Sequence, residues 1–118
     1  SLSGSSAILV QIGSGSVTNS GYSSSGNRIS TASTVVTSTA GFVTGVSQAA
    51  ENFSGIMLIA TVGSNLWVAS HSAGQVGGAS FMGGGNSPTL GGVLDRVRIT
   101  TVNGTDTFDA GSINILYE

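Results

Sequence analysis

Hydrophobic positions in this chain come in short runs, and most runs alternate with polar residues at a period of two. Residues 7–12 form a first apolar strand, broken by Gly13-Ser14-Gly15, and 17–22 resumes as a second. Residues 23–33 are polar and contain glycine, which predicts a loop. Residues 34–39 are β-branched and extended, 42–46 make a further short strand, and Gln48-Ala49-Ala50-Glu51 fits a single helical turn in the connection 47–52. Residues 53–62 are the strongest apolar run and predict a buried central strand. Gly63-Ser64-Asn65 reads as a hairpin turn. The return strand 66–72 puts Leu66, Val68 and Ser70 on one face and Trp67, Ala69 and His71 on the other.

Residues 73–92 are the loosest stretch, dense in glycine, with Phe81 and Met82 as its only large apolar pair. Two β-favouring runs close the chain, 93–102 and 113–117. Between them Asn103-Gly104 has the chemistry of a type I′ turn, and Asp109-Ala110-Gly111 supplies a second reversal. A chain that ends on an apolar run predicts a last strand tied into a sheet. No apolar stripe recurs at 3.6 residues. Seven to nine short strands separated by Gly/Asn turns predict an all-β antiparallel β-sandwich, jelly-roll-like. Its expected core includes Ile56, Leu58, Val97, Ile99, Ile113 and Ile115.

Composition narrows the function. At 118 residues the chain is one domain. Only 7% of residues are charged, against about 25% in ordinary soluble domains. There is no lysine; the ionisable side chains apart from His71 and the tyrosines are Arg28, Arg96, Arg98, Glu51, Asp95, Asp106, Asp109 and Glu118. The surface is therefore built from Ser, Thr, Asn and Gly, which repels other copies weakly and accommodates self-association. A net charge of −2 with no basic cluster gives no footprint for nucleic acid. The absence of cysteine removes disulfides, thiolate metal sites and a cysteine nucleophile. No apolar run reaches the length of a membrane span, so no membrane insertion is expected.

The closing stretch LDRVRITTVNGTDTFDAGSINILYE resembles the end of a domain found at the C-termini of tailed-bacteriophage tail fibre and tailspike proteins. AILVQIGSGSVTNSGY and GIMLIATVGSNLWVASHSAG resemble the same family in the same order, so the likeness runs through nearly the whole chain. Members usually carry one or two further strands before the position that is Ser1 here. The resemblance thus implies that residues 1–118 are a single β-sandwich domain from the C-terminal part of a longer fibre or spike chain, lacking its first strand or strands. It implies a homotrimer in the distal part of the virion, made in the host cytoplasm. Such a module ends and trimerises the fibre, and its expected partner beyond itself is bacterial surface polysaccharide or lipopolysaccharide. The alternative is a carbohydrate-binding module attached to an upstream polysaccharide-degrading enzyme.

No catalytic site is expected in this chain, and no cofactor; enzymatic activity would lie in upstream sequence. His71, the only histidine, has no serine in a G-x-S-x-G elbow to serve and no cysteine or carboxylate cluster to share a metal with. Asp106 and Asp109, with Asn103, are the weak metal candidates, set against the ordinary use of Asp and Asn in turns. Asp95 alternates with apolar residues, so it needs either a partner, such as Arg28, or access to water. Sugar-binding modules combine exposed aromatic rings with polar donors. The candidate ligand-binding residues are therefore Asn27, Arg28, Trp67, His71 and Asn86, with Tyr22 and Tyr117 as the other amphipathic aromatics. Candidate interface residues are Phe81, Met82, Arg96 and Arg98.

Overall fold

The structure, a computed structural model, describes residues 2–46, 49 and 51–117. Within them the chain forms nine strands and no helix: β1 (Ile8–Ser14), β2 (Ser16–Val17), β3 (Ser23–Ile29), β4 (Ser33–Ser38), β5 (Phe42–Val43), β6 (Phe53–Gly63), β7 (Leu66–Gln75), β8 (Ser80–Asn86) and β9 (Arg96–Thr101). All pairings are antiparallel. The predicted helical turn at 48–51 falls largely outside the described residues.

The strands form two sheets. A four-stranded sheet is centred on β1, which pairs with β9 along one edge and with β5 and β2 along the other. A five-stranded sheet has the order β4-β3-β8-β7-β6. The small sheet is held to the large one by an apolar core. Val10 and Ile12 of β1 meet Ala69 of β7, Phe42, Tyr22 and Leu90, with Met57, Ile59, Trp67, Leu94 and Ile99 packed around them. The opposite side of β1 is also covered, since Leu9 clusters with Ala7, Val43, Val36 and Ala40. Burial on both sides explains why residues 7–12 read as a continuous apolar run rather than an alternating one.

The glycine-dense segment is the main departure from the sequence reading. β8 is the central strand of the large sheet, paired to β3 on one side and β7 on the other. Its glycines serve close approach. A Cβ on Gly83 would meet the backbone of Ser25 and Gly26 and lie 2.7 Å from the His71 ring. On the neighbouring strand, a Cβ on Gly26 would strike the Thr44–Gly45 backbone, which crosses that face. Segment 23–33, expected as a loop, contains strand β3: its Ser-Ser-Ser-Gly-Asn run is extended because both of its neighbours supply a ladder.

β6 corrects the expectation in the opposite sense. It is an edge strand, pairing only with β7. Ile56 and Leu58 alternate onto the open face and are exposed, while Met57 and Ile59 turn to the core. The apolar run was continuous because both faces carry large side chains, but only one is buried. The β6–β7 turn is as expected. Ser64 and Asn65 both have positive φ, 54° and 61°, which is the two-residue type I′ geometry.

At the chain's end, Asn103-Gly104 is not a type I′ pair. Only Gly104 has positive φ, and its N–H donates to the Thr101 carbonyl at 3.1 Å, closing the turn around Val102 and Asn103. The Asn103 side-chain oxygen accepts from the Thr105 and Asp106 N–H groups, both at 3.0 Å. The chain then crosses Leu2 in one bridge at Phe108, and residues 111–117 join no strand. Ile113 and Ile115 are exposed rather than in the core, as is Val97; of the six expected core residues only Ile99 packs against it.

Candidate functional site

The five-stranded sheet has one face turned to the core and one open face. Register fixes what the open face displays. One row across the sheet runs Ile56, Ser72, Met82, Asn27 and Val35. The next runs Leu58, Ser70, Gly84, Ser25 and Thr37. The face carries no charged residue in either row. Toward β6 it is apolar; toward β3 and β4 it is covered in hydroxyls.

On the hydroxyl side lies a shallow open groove of about 580 Å³, lined by Ser23, Ser25, Thr37, Thr39 and Gly84 among others. Gly84 is part of the lining, and a Cβ there would strike the Ala69 carbonyl on β7. Serine and threonine hydroxyls both donate and accept, and they rotate to suit a partner. An array of them suits the hydroxyls of a neutral polyhydroxylated ligand. A smaller cleft at the apolar end is lined by Ile56, Leu58, Ser70, His71 and Ser72.

The residues singled out from sequence do not converge on one site. Asn27 and Asn86 do lie on this open face, Asn27 with its side-chain oxygen accepting from Ser33 at 3.0 Å. Arg28 points the other way. Its Nη2 donates to Glu51 at 2.7 Å and to Gln75 at 3.1 Å, and both charged side chains are largely covered, so this guanidinium is committed to the chain's own fold. It is Glu51, not Asp95, that partners Arg28. Asp95 takes the alternative expected of it: it sits at the surface, accepts from the Gly15 N–H at 3.0 Å, and lies 3.4 Å from Arg96.

Trp67 and His71 also face inward. The Trp67 ring packs against the core, and its indole nitrogen is buried without a partner among the described residues. His71 lies across from Met57 and Gly83, and neither ring nitrogen has a described partner. Burial pushes its pKa below the ordinary histidine value. The face that alternation along 66–72 assigns to Trp67, Ala69 and His71 is kept and is the core face, which is the correction to a ligand-binding role for the two rings.

Of the interface candidates, Phe81 is buried and stacks at 5.4 Å on Phe53, whereas its neighbour Met82 is half exposed on the open face. Arg98 donates to the buried Gln11 side chain at 2.8 Å. Arg96 is half exposed beside Asp95. Asp106 accepts from the Ser6 N–H and the Asn103 amide, both at 2.9 Å. Those bonds hold its carboxyl below the usual range and serve to tie the Asn103 turn to the N-terminal segment. Among the described residues no group of three or more His, Cys, Asp or Glu side chains is placed to hold a metal.

The groove residues themselves escaped the sequence reading. Ser23, Ser25 and Asn27 alternate with Ser24, Gly26 and Arg28, so polar residues fall on both faces and no apolar member marks the segment as a strand. Comparison with protein-family models, with curated proteins and with solved structures returns no match, so the reading of this site rests on its chemistry and on the sequence resemblance.

Proposed function

We propose that this chain is a structural and recognition module of a bacteriophage tail fibre or tailspike: a jelly-roll-like β-sandwich that assembles as a homotrimer and presents its open sheet face to polysaccharide or lipopolysaccharide on the bacterial surface. The observation that carries the recognition half is the uncharged hydroxyl groove on β3, β4 and β8. It offers hydrogen bonds in both directions to sugar hydroxyls and has no group that discriminates by charge. The likeness of the closing stretch and of the two earlier segments to fibre termini supports the setting. The near absence of surface charge supports the assembly, because little opposes the approach of a second copy.

The proposed ligand is a neutral glycan rather than an acidic one. Arg28 is engaged by Glu51, and Arg96 and Arg98 lie on β9 of the other sheet. A glycan array, followed by titration of the best sugar at two salt concentrations, tests this. Binding that is insensitive to salt, and lost when Ser25→Trp fills the groove, is the expected result. Binding only to anionic glycans with strong salt dependence would refute it.

A further inference from the structure

The same chain carries an unfinished strand and an unprotected sheet edge. Residues 111–117 (GSINILY) hold no charge, join no strand, and expose Ile113, Ile115, Leu116 and Tyr117 at 57–92%. β6, the edge of the large sheet, likewise holds no charge and no proline, and exposes Ile56, Leu58 and Val62 at 57–76%. Natural edge strands are normally kept from pairing by lysine, proline, shortness or a covering element. β6 has eleven residues and none of these along its length; its one irregularity is the bulge at Thr61–Gly63, beside the turn.

We propose that residues 111–117 of one copy add as a strand to the β6 edge of a second copy. Three observations carry this beyond mere exposure. The lengths agree: seven residues extend about 23 Å, and the stretch of β6 from Gly55 to Val62 about 26 Å, at about 3.3 Å per residue. The periodicities agree: Ile113, Ile115 and Tyr117 share one face of an extended segment, as Ile56, Leu58, Ala60 and Val62 share one face of β6, so pairing continues an apolar surface with an apolar one. The charges agree, since neither segment has any to desolvate. The other edge, β4, fits less well, because four of its six residues are Ser or Thr.

The segment leaves the fold at Phe108, against Leu2 beside the small sheet, and β6 lies at the edge of the other sheet. With one donor and one acceptor per chain, the contact closes as a reciprocal exchange between two copies or as a ring of more, and runs on as a filament where the rotation does not close. A ring of three is one closed solution, so strand donation supplies a physical basis for the trimer, and it rests on the self-association part of the function proposed above.

The chain has no cysteine, which makes a direct test possible. Single variants Ile56→Cys, Leu58→Cys and Ala60→Cys would each be coexpressed with Ile113→Cys or Ile115→Cys, oxidised, and run on a denaturing gel. Disulfide-linked dimers from at least one mixed pair, above the level either variant forms alone, are expected. The double variant Ile113→Asp, Ile115→Asp would be sedimented beside the wild-type chain, with circular dichroism checking that the strands remain. The expected shift is from oligomer to monomer with the spectrum unchanged. An oligomer that survives those substitutions, or mixed pairs that never link, overturns strand donation and leaves self-association standing. A third sample carries Leu58→Cys and Ile115→Cys on one chain; a link that forms within that monomer while the mixed pairs never link overturns the proposal in favour of the chain's own tail. A wild-type chain that is monomeric at every concentration removes both the donation and the trimer.

Discussion

The phenolic oxygen of Tyr22 sits between the two backbone polar groups of Ile12: it accepts from the Ile12 N–H at 2.9 Å and lies 3.1 Å from the Ile12 carbonyl. The Thr18 carbonyl is 2.9 Å away as a second acceptor for its one proton. The ring meets Phe42 edge-on at 5.2 Å. β1 turns into the β2 hairpin here: Gly13 pairs with Val17, and the Ile12 carbonyl also accepts from the Thr18 N–H at 2.9 Å, while the Ile12 N–H is met by the phenol. A side chain has taken over the pairing of a buried backbone.

Tyr22→Phe therefore keeps the ring contact and strands the Ile12 N–H in the core. A loss of about 1–3 kcal/mol is expected from a buried donor left without a partner. Urea denaturation gives the answer: a midpoint shift at constant slope supports the assignment, and an unchanged midpoint means water or relaxation satisfies the group.

Close approach at the glycines of the large sheet makes the second prediction. A Cβ on Gly26 collides with the Thr44–Gly45 backbone rather than with the end of a flexible side chain, so the layer must move. Gly26→Ala is expected to cost about 1–3 kcal/mol, the usual range for overpacking. Gly91→Ala, where a Cβ meets nothing within 4 Å, is the control and should leave the melting temperature nearly unchanged.

Those glycines also explain where sequence reasoning succeeded and failed. Strand content, antiparallel pairing and the Ser64-Asn65 turn were legible because period-two patterning and positive-φ chemistry are local. The centrality of β8 was not, since Gly83, Gly84 and Gly85 signal flexibility by composition, and only the neighbouring strands convert them into a ladder. β6 failed for the converse reason: Ile56 and Leu58 announce burial, but the sheet ends there. The groove was illegible because Ser25 on β3 meets Thr37 on β4 only through pairing register, which hydroxyl residues do not encode.

His71 gives the pH dependence. Burial lowers its pKa, so the folded protein keeps the ring neutral at a pH where the unfolded chain, at about 6.5, takes up a proton. Above that value both states are neutral and the residue contributes no slope. Below it the unfolded state binds more protons, so stability falls as pH falls toward the depressed folded value. Thermal melts from pH 7.5 to 5 should show this decline, and His71→Leu should flatten it. A wild-type profile that is already flat over the interval would contradict the burial of the ring. Asp106 acts in a separate, more acidic window: its carboxyl is held low by Asn103 and Ser6, so its contribution is present above the ordinary carboxylate value and is lost only as pH falls through the depressed one.

The last prediction separates fold from recognition on opposite faces of one sheet. Trp67 packs on the core side of β7, whereas Ser25 lines the groove on the open side of β3. Truncating Trp67→Ala removes a large ring from the core and should cost about 3 kcal/mol, near the low end for such changes because the ring is only partly buried. Once enough protein is kept folded by lowering the temperature, its affinity for a bound glycan should match the wild type. Ser25→Trp should do the reverse, leaving the denaturation midpoint in place and abolishing the glycan signal. If Trp67→Ala instead loses binding while its melting curve is untouched, the ring is a sugar platform and the open face is not the recognition surface. Measuring both variants by denaturation and by glycan titration decides between the two faces.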